Sequence, residues 1–274
     1  MERTISLQKV IDFKELHSNF FILPNAWDAA VAKIFEQCGF KAIGTTSAGI
    51  AVSHGYADRN MPFDTMLAAV RKIVRAVDIP VTVDMEDGYG ETPEEVAESV
   101  RQVIEAGAAG INLEDSSIDP QAPLYDIPVQ QEKIAAIRQL GDRIGFPIFI
   151  NARTDPYWIK HVPPSGRLEE TVKRAHAYQE AGADCIFVPG IRGMLDIWTL
   201  RKEISGPINV LAGPGLPPAQ DLEALGIQRI STGSGPFRAA LTLLHRIGQD
   251  ILEGGTFEQM TSNVLSYDDL SQLR

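Results

Sequence analysis

The sequence predicts an α/β protein, a (β/α)8 barrel with an extra C-terminal helical segment, and three observations carry that prediction. Helix-like segments that end in Gly39, Gly107, Gly182 and Gly226 each run into a short apolar stretch. Gly at this position ends helices because it tolerates the left-handed conformation. Between these come stretches entered through Pro80, Pro147 and Pro207, where a proline at a strand's first residue removes no needed ladder bond. The two entry types alternate strictly, and with 20–23 placed first they give eight strands. The strands are apolar on both faces, as buried parallel strands are. The chain's 274 residues suit one barrel of ~250 residues. An open doubly wound sheet would need a GxGxxG turn after an early strand, and the sequence has none.

The elements follow in order. Leu7, Val10, Ile11, Phe13 and Leu16 predict a short amphipathic helix ahead of the first strand. The helix after the third strand is marked by Thr92 as N-cap, Pro93 at the first helical position and Glu95 completing a capping box. Between the fourth strand and its helix, 119–128 is rich in Pro. A long loop on that side of a barrel is a candidate lid. After the eighth strand a helical pattern covers 236–253. A tail follows, with Phe257, Met260, Val264, Leu265, Tyr267, Leu270 and Leu273 as apolar positions. A barrel closes without this segment, so its apolar face is expected to meet a neighbouring subunit or the barrel bottom. The reading is one domain, 1–274, with 236–274 at a subunit interface.

Composition narrows the function. Hydrophobic residues make up 44% and charged residues 22%, and the net charge is −11. That balance gives no electrostatic reason to bind nucleic acid or an anionic membrane. No apolar stretch reaches the ~20 residues that span a bilayer. The polar N-terminus lacks the apolar region of a secretory signal. Cys38 and Cys185 form no CxxC pair and are expected to be buried free thiols, which suits a reducing cytoplasm.

Catalytic groups of such barrels sit at the C-terminal ends of strands. The third strand ends in Asp84-Met85-Glu86-Asp87. Period-2 alternation puts Asp84 and Glu86 on one face. The fourth ends in Asn112-Leu113-Glu114-Asp115, and Asp58 is available from the loop after the second. Packed carboxylates repel unless a cation lies among them. All-oxygen ligands with no nearby histidine point to Mg²⁺, with Mn²⁺ possible, held directly by Asp84 and through water by Asp58, Glu86 and Glu114. Asp28, Asp87 and Asp115 are expected to cap helices. Arg153, ending the fifth strand, is either a carboxylate or phosphate clamp or a salt bridge to one of the acids. Ser47-Ala48-Gly49 either offers backbone N–H groups to an oxyanion or makes a tight turn. Thr45 and Asn209, also near strand ends, are expected to help bind the substrate, as are Ser47, Ala48, Asp84 and Arg153. The Gly213-Pro214-Gly215 and Gly233-Ser234-Gly235 runs are expected to be turns and a helix N-cap rather than phosphate sites. His54 is expected to be a loop residue.

With these motifs in order, the chain resembles the isocitrate lyase/phosphoenolpyruvate mutase superfamily from about Leu23 to Arg238. Its carriers are Pro24-Asn25-Ala26-Trp27-Asp28, Thr46-Ser47-Ala48-Gly49, the run from Asp84 to Gly90, and Leu113-Glu114-Asp115, supported by Asn151-Ala152-Arg153 and Pro236-Phe237-Arg238-Ala239. The resemblance is to the carboxyvinyl-carboxyphosphonate phosphorylmutase type rather than to the Cys-dependent isocitrate or methylisocitrate lyases. The loop at 116–125 carries neither the Cys of those lyases nor the Lys of the phosphonate enzymes. Glu86 stands where many members have Asp.

What the resemblance implies is a Mg²⁺-dependent barrel enzyme that makes or breaks C–C or P–C bonds next to a 2-oxo acid, and the reading chosen within it is a lyase acting on a small 2-oxo or 2-hydroxy acid through a pyruvate-like enolate. By it, Asp84 matches the direct metal ligand and Asp58, Glu86 and Glu114 the acids that act through metal-bound water. The backbone of Ser47 and Ala48, with Arg153, matches the part that holds the oxo acid, and the assembly is a tetramer that exchanges its last helix. The alternatives are an enzyme of P–C bonds and an oxo-acid-binding relative that has lost catalysis. Tyr125 is the one weak candidate for a general acid on the loop.

Overall fold

The computed structural model describes residues 7–273. The reading of the extreme N-terminus as free of a signal segment partly falls outside those residues. Every strand the sequence predicts is present. The first is split at Pro24 into β1 (Phe21–Leu23) and β2 (Asn25–Ala26). The others are β3 (Ile43–Thr45), β4 (Val81–Asp84), β5 (Gly110–Glu114), β6 (Phe149–Arg153), β7 (Cys185–Val188), β8 (Ile208–Leu211) and β9 (Arg229–Ser231). All pairings are parallel, in the order β1-β9-β8-β7-β6-β5-β4-β3-β2. Proline has no N–H to donate, so the ladder changes partner there. β1 pairs with β9 and β2 with β3, and the two halves of one strand close the barrel.

Helices α2 (Ala29–Gln37) to α10 (Gly235–Gly254) lie between and after the strands, with α3 (Ser47–Ser53), α4 (Phe63–Ala76), α5 (Pro93–Glu105), α6 (Ile127–Ile144), α7 (Arg167–Glu180), α8 (Met194–Glu203) and α9 (Ala219–Ala224) in order. The glycines before β5 and β7, Gly107 and Gly182, have φ of 104° and 109°, the left-handed geometry expected of helix stops. Thr92 and Glu95 form the predicted capping box of α5.

The N-terminal helix α1 (Leu7–Leu16) closes the bottom of the barrel. Its buried Phe13 meets Phe149, the first residue of β6, edge to face at 5.0 Å. His17, just beyond α1, stacks on the same ring at 4.2 Å. The C-terminal tail therefore does not pack across the barrel bottom. Helix α10 is followed by α11 (Glu258–Thr261) and α12 (Tyr267–Ser271), and Leu244, Leu252, Phe257, Met260, Val264, Leu265, Tyr267 and Leu270 all stay exposed. Cys38 corrects a second expectation. It caps α2 in an exposed position, whereas Cys185 is buried as expected. Among the described residues, no helix is long and apolar enough to cross a membrane.

Candidate active site

A cavity of about 300 Å³ opens at the C-terminal ends of the strands, where the barrel scaffold places its reactive groups. Thr45, Ser47, Ala48, Asp58, Asp84, Glu86, Glu114 and Arg153 all line it. They come from five separate stretches of chain that only barrel closure brings together.

Asp84 is the last residue of β4. Its Oδ2 accepts from the Ser47 hydroxyl at 2.9 Å and from the Ser47 backbone N–H at 3.2 Å, in the first turn of α3. Its own N–H donates to Thr45 Oγ1 at 2.9 Å. Thr45 thus fixes the backbone of Asp84, and Ser47 fixes its carboxylate. Thr46 caps α3, so 47–49 is the start of a helix rather than an isolated tight turn.

Glu86 reaches the cavity by a route that strand alternation does not describe. Strand β4 stops at Asp84, and Glu86 follows in the left-handed region at φ 51°. Its backbone carbonyl accepts from the Glu114 N–H at 2.8 Å, which pins the turn to β5. The Glu86 side chain is buried, and its Oε1 has no hydrogen-bond partner. Burial, and then the negative charges of Asp84, Glu114 and Asp58, push its pKa up to about 8.

Glu114 ends β5. Its Oε2 accepts from Arg153 Nη1 at 2.7 Å and its Oε1 from the Ser116 hydroxyl at 2.8 Å. Burial outweighs the pull of Arg153, and the pKa rises to about 7. Asp58 is raised as well, by burial and by Asp84. Arg153 forms the salt bridge considered for it. Besides Glu114 it donates to both oxygens of Asp155, at 2.7 and 2.8 Å. It also faces the cavity, beside the rings of Trp158 and Phe187.

Several expectations need correction. Asn209 does not line the cavity. It is fully buried one layer deeper than Leu211, and its Oδ1 accepts from the Ser231 hydroxyl at 3.0 Å. Tyr125 turns away too, donating to Asp87 Oδ2 at 2.9 Å with Lys133 over its ring. Asp87 is therefore an anchor for the loop and not a helix cap. Asp115 is no cap either, being fully buried among Thr154, Arg174 and Tyr178. Asp28 does cap α2, accepting from the Val31 N–H at 2.8 Å. His54 lies at the end of α3, as a loop residue would. Gly233 and Ser234 line the cavity, and Ser234 is the residue just before α10.

Liners that escaped the sequence reading include Arg59, Ser116, Ser117 and Trp158. All lie on loops beyond the strand ends, where alternation carries no information. The one available signal was Arg59 standing next to Asp58.

Among the described residues, no three acid, His or Cys side chains converge tightly enough to cage a metal ion. What the cavity offers is different: one well-oriented carboxylate, Asp84, and three more acids around it, one of them with an unpartnered buried oxygen. That set suits a hydrated hard cation, because Mg²⁺ keeps several of its waters.

Fold and cavity together define a barrel with an acid-lined site at its C-terminal mouth. The family model for phosphoenolpyruvate phosphomutase matches residues 13–252. The chain belongs to that family, within the isocitrate lyase/phosphoenolpyruvate mutase superfamily. It is 32% identical over 215 residues to 2,3-dimethylmalate lyase of Eubacterium barkeri, covering 75% of this chain and 72% of that one. A crystal structure from Burkholderia cenocepacia J2315, provisionally classed as a lyase/mutase, superposes with a TM-score of 0.91 at 34% identity over 97% of both chains. A phosphonopyruvate hydrolase solved with oxalate and Mg²⁺ matches with a TM-score of 0.84 at 26% identity, over 97% of this chain and 94% of that one. The named members of the superfamily are thus lyases, mutases and hydrolases.

Proposed function

We propose that the protein is a Mg²⁺-dependent lyase that acts on a small 2-oxo or 2-hydroxy carboxylic acid, cleaving a C–C bond or releasing CO₂ through a pyruvate-like enolate. The observation that carries this reading is the grouping of Asp58, Asp84, Glu86 and Glu114 in one cavity, with Glu86 Oε1 buried and unpartnered. Acids in that arrangement call for a cation. Asp84 would hold it directly, and Asp58, Glu86 and Glu114 through water; Mn²⁺ suits the same oxygen donors. Such an ion supplies Lewis-acid polarisation of the 2-oxo and carboxylate oxygens.

The chain's own residues do the rest. Ser47 and Ala48 form the wall against which the oxo acid lies, and Arg153, fixed by Asp155, orients its carboxylate. Trp158, Phe187 and Leu211 exclude water from the reacting carbon. The loop at 116–125 presents serine hydroxyls but no Cys, Lys or free Tyr to the cavity. Loss of CO₂ from an oxaloacetate-like acid needs no general acid at the leaving group, so decarboxylation fits this wall better than retro-aldol cleavage. The likeness to a phosphonopyruvate hydrolase supports P–C chemistry as the second reading, and a binding protein without turnover is the third.

The same proposal covers assembly and setting: a cytoplasmic homotetramer with 236–274 at the subunit interface. The exposed Leu252, Phe257 and Tyr267 support it.

The test is a panel of oxaloacetate, substituted malates, methylisocitrate and phosphonopyruvate, with and without Mg²⁺. Metal-dependent release of pyruvate or glyoxylate from a C–C substrate is expected. Release of phosphate from phosphonopyruvate alone would move the assignment to the second reading.

A further inference from the structure

Among the described residues, two guanidinium groups line the cavity and no lysine does. They differ in how far their charge is already spent. Arg153 is saturated with acids at short range, Asp155 at 2.7 and 2.8 Å and Glu114 at 2.7 Å. Arg59 is held mainly by neutral oxygens. Its Nη2 donates to the Ser116 carbonyl at 2.9 Å, and its Nη1 makes longer contacts to Ser116 Oγ at 3.3 Å and the Ser117 carbonyl at 3.4 Å. The acids near it stand further off, Glu114 at 3.4 Å and Asp87 at 3.8 Å. Its Nε has no partner. Arg59 also sits at φ 66°, a conformation that a residue other than glycine adopts at a cost. From there the guanidinium reaches across the cavity rim to the 116–117 loop.

We infer that Arg59 is a specificity-determining residue that binds a second carboxylate on the substrate, at the end remote from the 2-oxo group, so that the protein selects short 2-oxo dicarboxylic acids over monocarboxylic ones. This rests on the 2-oxo acid reading above. The argument is one of charge. An acid-lined cavity in a chain of net charge −11 repels a dianion unless a cation with unspent charge meets its far end. Of the two cavity arginines, Arg59 is the one less committed to acids, which stand at 3.4 and 3.8 Å, and its planar donor fork suits a carboxylate. A phosphonate carries nearly two charges at neutral pH, which one guanidinium balances less well. The loop then adds a second effect. Arg59 ties 116–117 to the 54–62 segment, so a carboxylate bound there also holds the two rims of the cavity together.

The experiment is calorimetric binding in the presence of Mg²⁺, with pyruvate, 3,3-difluorooxaloacetate and phosphonopyruvate as probes. The proteins are wild type, Arg59→Gln and Arg59→Lys, each checked by thermal unfolding. Wild type is expected to bind the dicarboxylate at least about tenfold more tightly than pyruvate. Arg59→Gln should lose that preference while its pyruvate affinity changes less than about threefold, and Arg59→Lys should keep part of it. Equal weakening of both probes in Arg59→Gln would make Arg59 a structural latch and overturn the inference. So would tighter binding of phosphonopyruvate than of the dicarboxylate, or equal wild-type binding of pyruvate and dicarboxylate. Those results leave the 2-oxo acid reading standing. Failure of wild type to bind any probe would overturn that reading and this inference with it. If Arg59→Gln does not fold, Arg59→Lys decides: weakening of pyruvate and dicarboxylate binding by the same factor there also overturns the assignment.

Discussion

Glu114 and Asp115 are neighbours in the chain and opposites in the fold. Glu114 faces the cavity, where Arg153 and Ser116 hold it and its charge helps to raise the pKa of Glu86. Asp115 faces the other way, into the layer between the barrel and α7. Its Oδ2 accepts from Thr154 at 2.8 Å, Tyr178 at 2.8 Å and Arg174 at 3.1 Å, and its Oδ1 from the Asp155 N–H at 2.9 Å. Four donors fix both oxygens of the structural acid inside the protein, whereas among the cavity acids Glu86 keeps an oxygen without a partner. Fixed partners, rather than residue type or position at a strand end, separate a supporting carboxylate from a working one.

The largest expected effect breaks the cavity side. Asp84→Ala should lower metal-dependent turnover by about 10³-fold and abolish the rise in unfolding temperature that Mg²⁺ gives wild type. Without metal its stability should hold, since removing one acid relieves repulsion among the others. A variant that unfolds readily without metal would show that Asp84 belongs with Asp115.

On the structural side, Asp115→Ala leaves Arg174 and the Tyr178 hydroxyl buried without their acid. The cost expected is about 3–5 kcal/mol in urea unfolding. A loss below about 1 kcal/mol would mean that the network is relaxed by water and that the contrast with Glu114 is only apparent.

Proton and metal competition sharpens the comparison further. Glu86 and Glu114 are raised in the folded protein to about 8 and about 7, above their ordinary 4.5. Between pH of about 4.5 and 8, the metal-free folded state therefore holds protons that the unfolded chain has released, and its stability falls as pH rises. A cation binds the ionised acids, so its stabilisation should grow across the same window. Millimolar MgCl₂ should barely move the unfolding temperature at pH of about 5.5 and raise it by about 4 °C or more at pH of about 8.5. Glu86→Gln should flatten this dependence. A metal effect independent of pH would remove these acids from the site.

Much of this was legible in the sequence. Helix stops such as Gly107 and strand entries such as Pro80 announce themselves through backbone chemistry that needs no tertiary context, and so the barrel order could be read directly. Asp84 and Glu114 were readable because they end strands. The sequence could not tell Glu114 from Asp115 by role, because Arg174 and Tyr178 lie about 60 positions away. Nor could it find Arg59 or Trp158, whose places depend on how loops fold over the mouth. Asn209 was misread for a related reason: alternation says which face a residue takes, but not at which depth in the barrel a layer meets solvent.

The smallest effect tests a third kind of strand-end acid. Asp28 lies just past the first strand and Asp84 ends β4, yet Asp28 is exposed and its side chain only receives the Val31 N–H at the start of α2. Asp28→Ala should cost about 1 kcal/mol of stability and Asp28→Ser almost nothing, because serine also caps. Turnover should stay within about twofold in both, since neither Arg59 nor any cavity carboxylate touches Asp28. A tenfold loss of turnover in Asp28→Ser, with stability intact, would place this acid among the working ones despite its fixed partner. Sorting acids by their partners would then fail at the one position where the count is simplest.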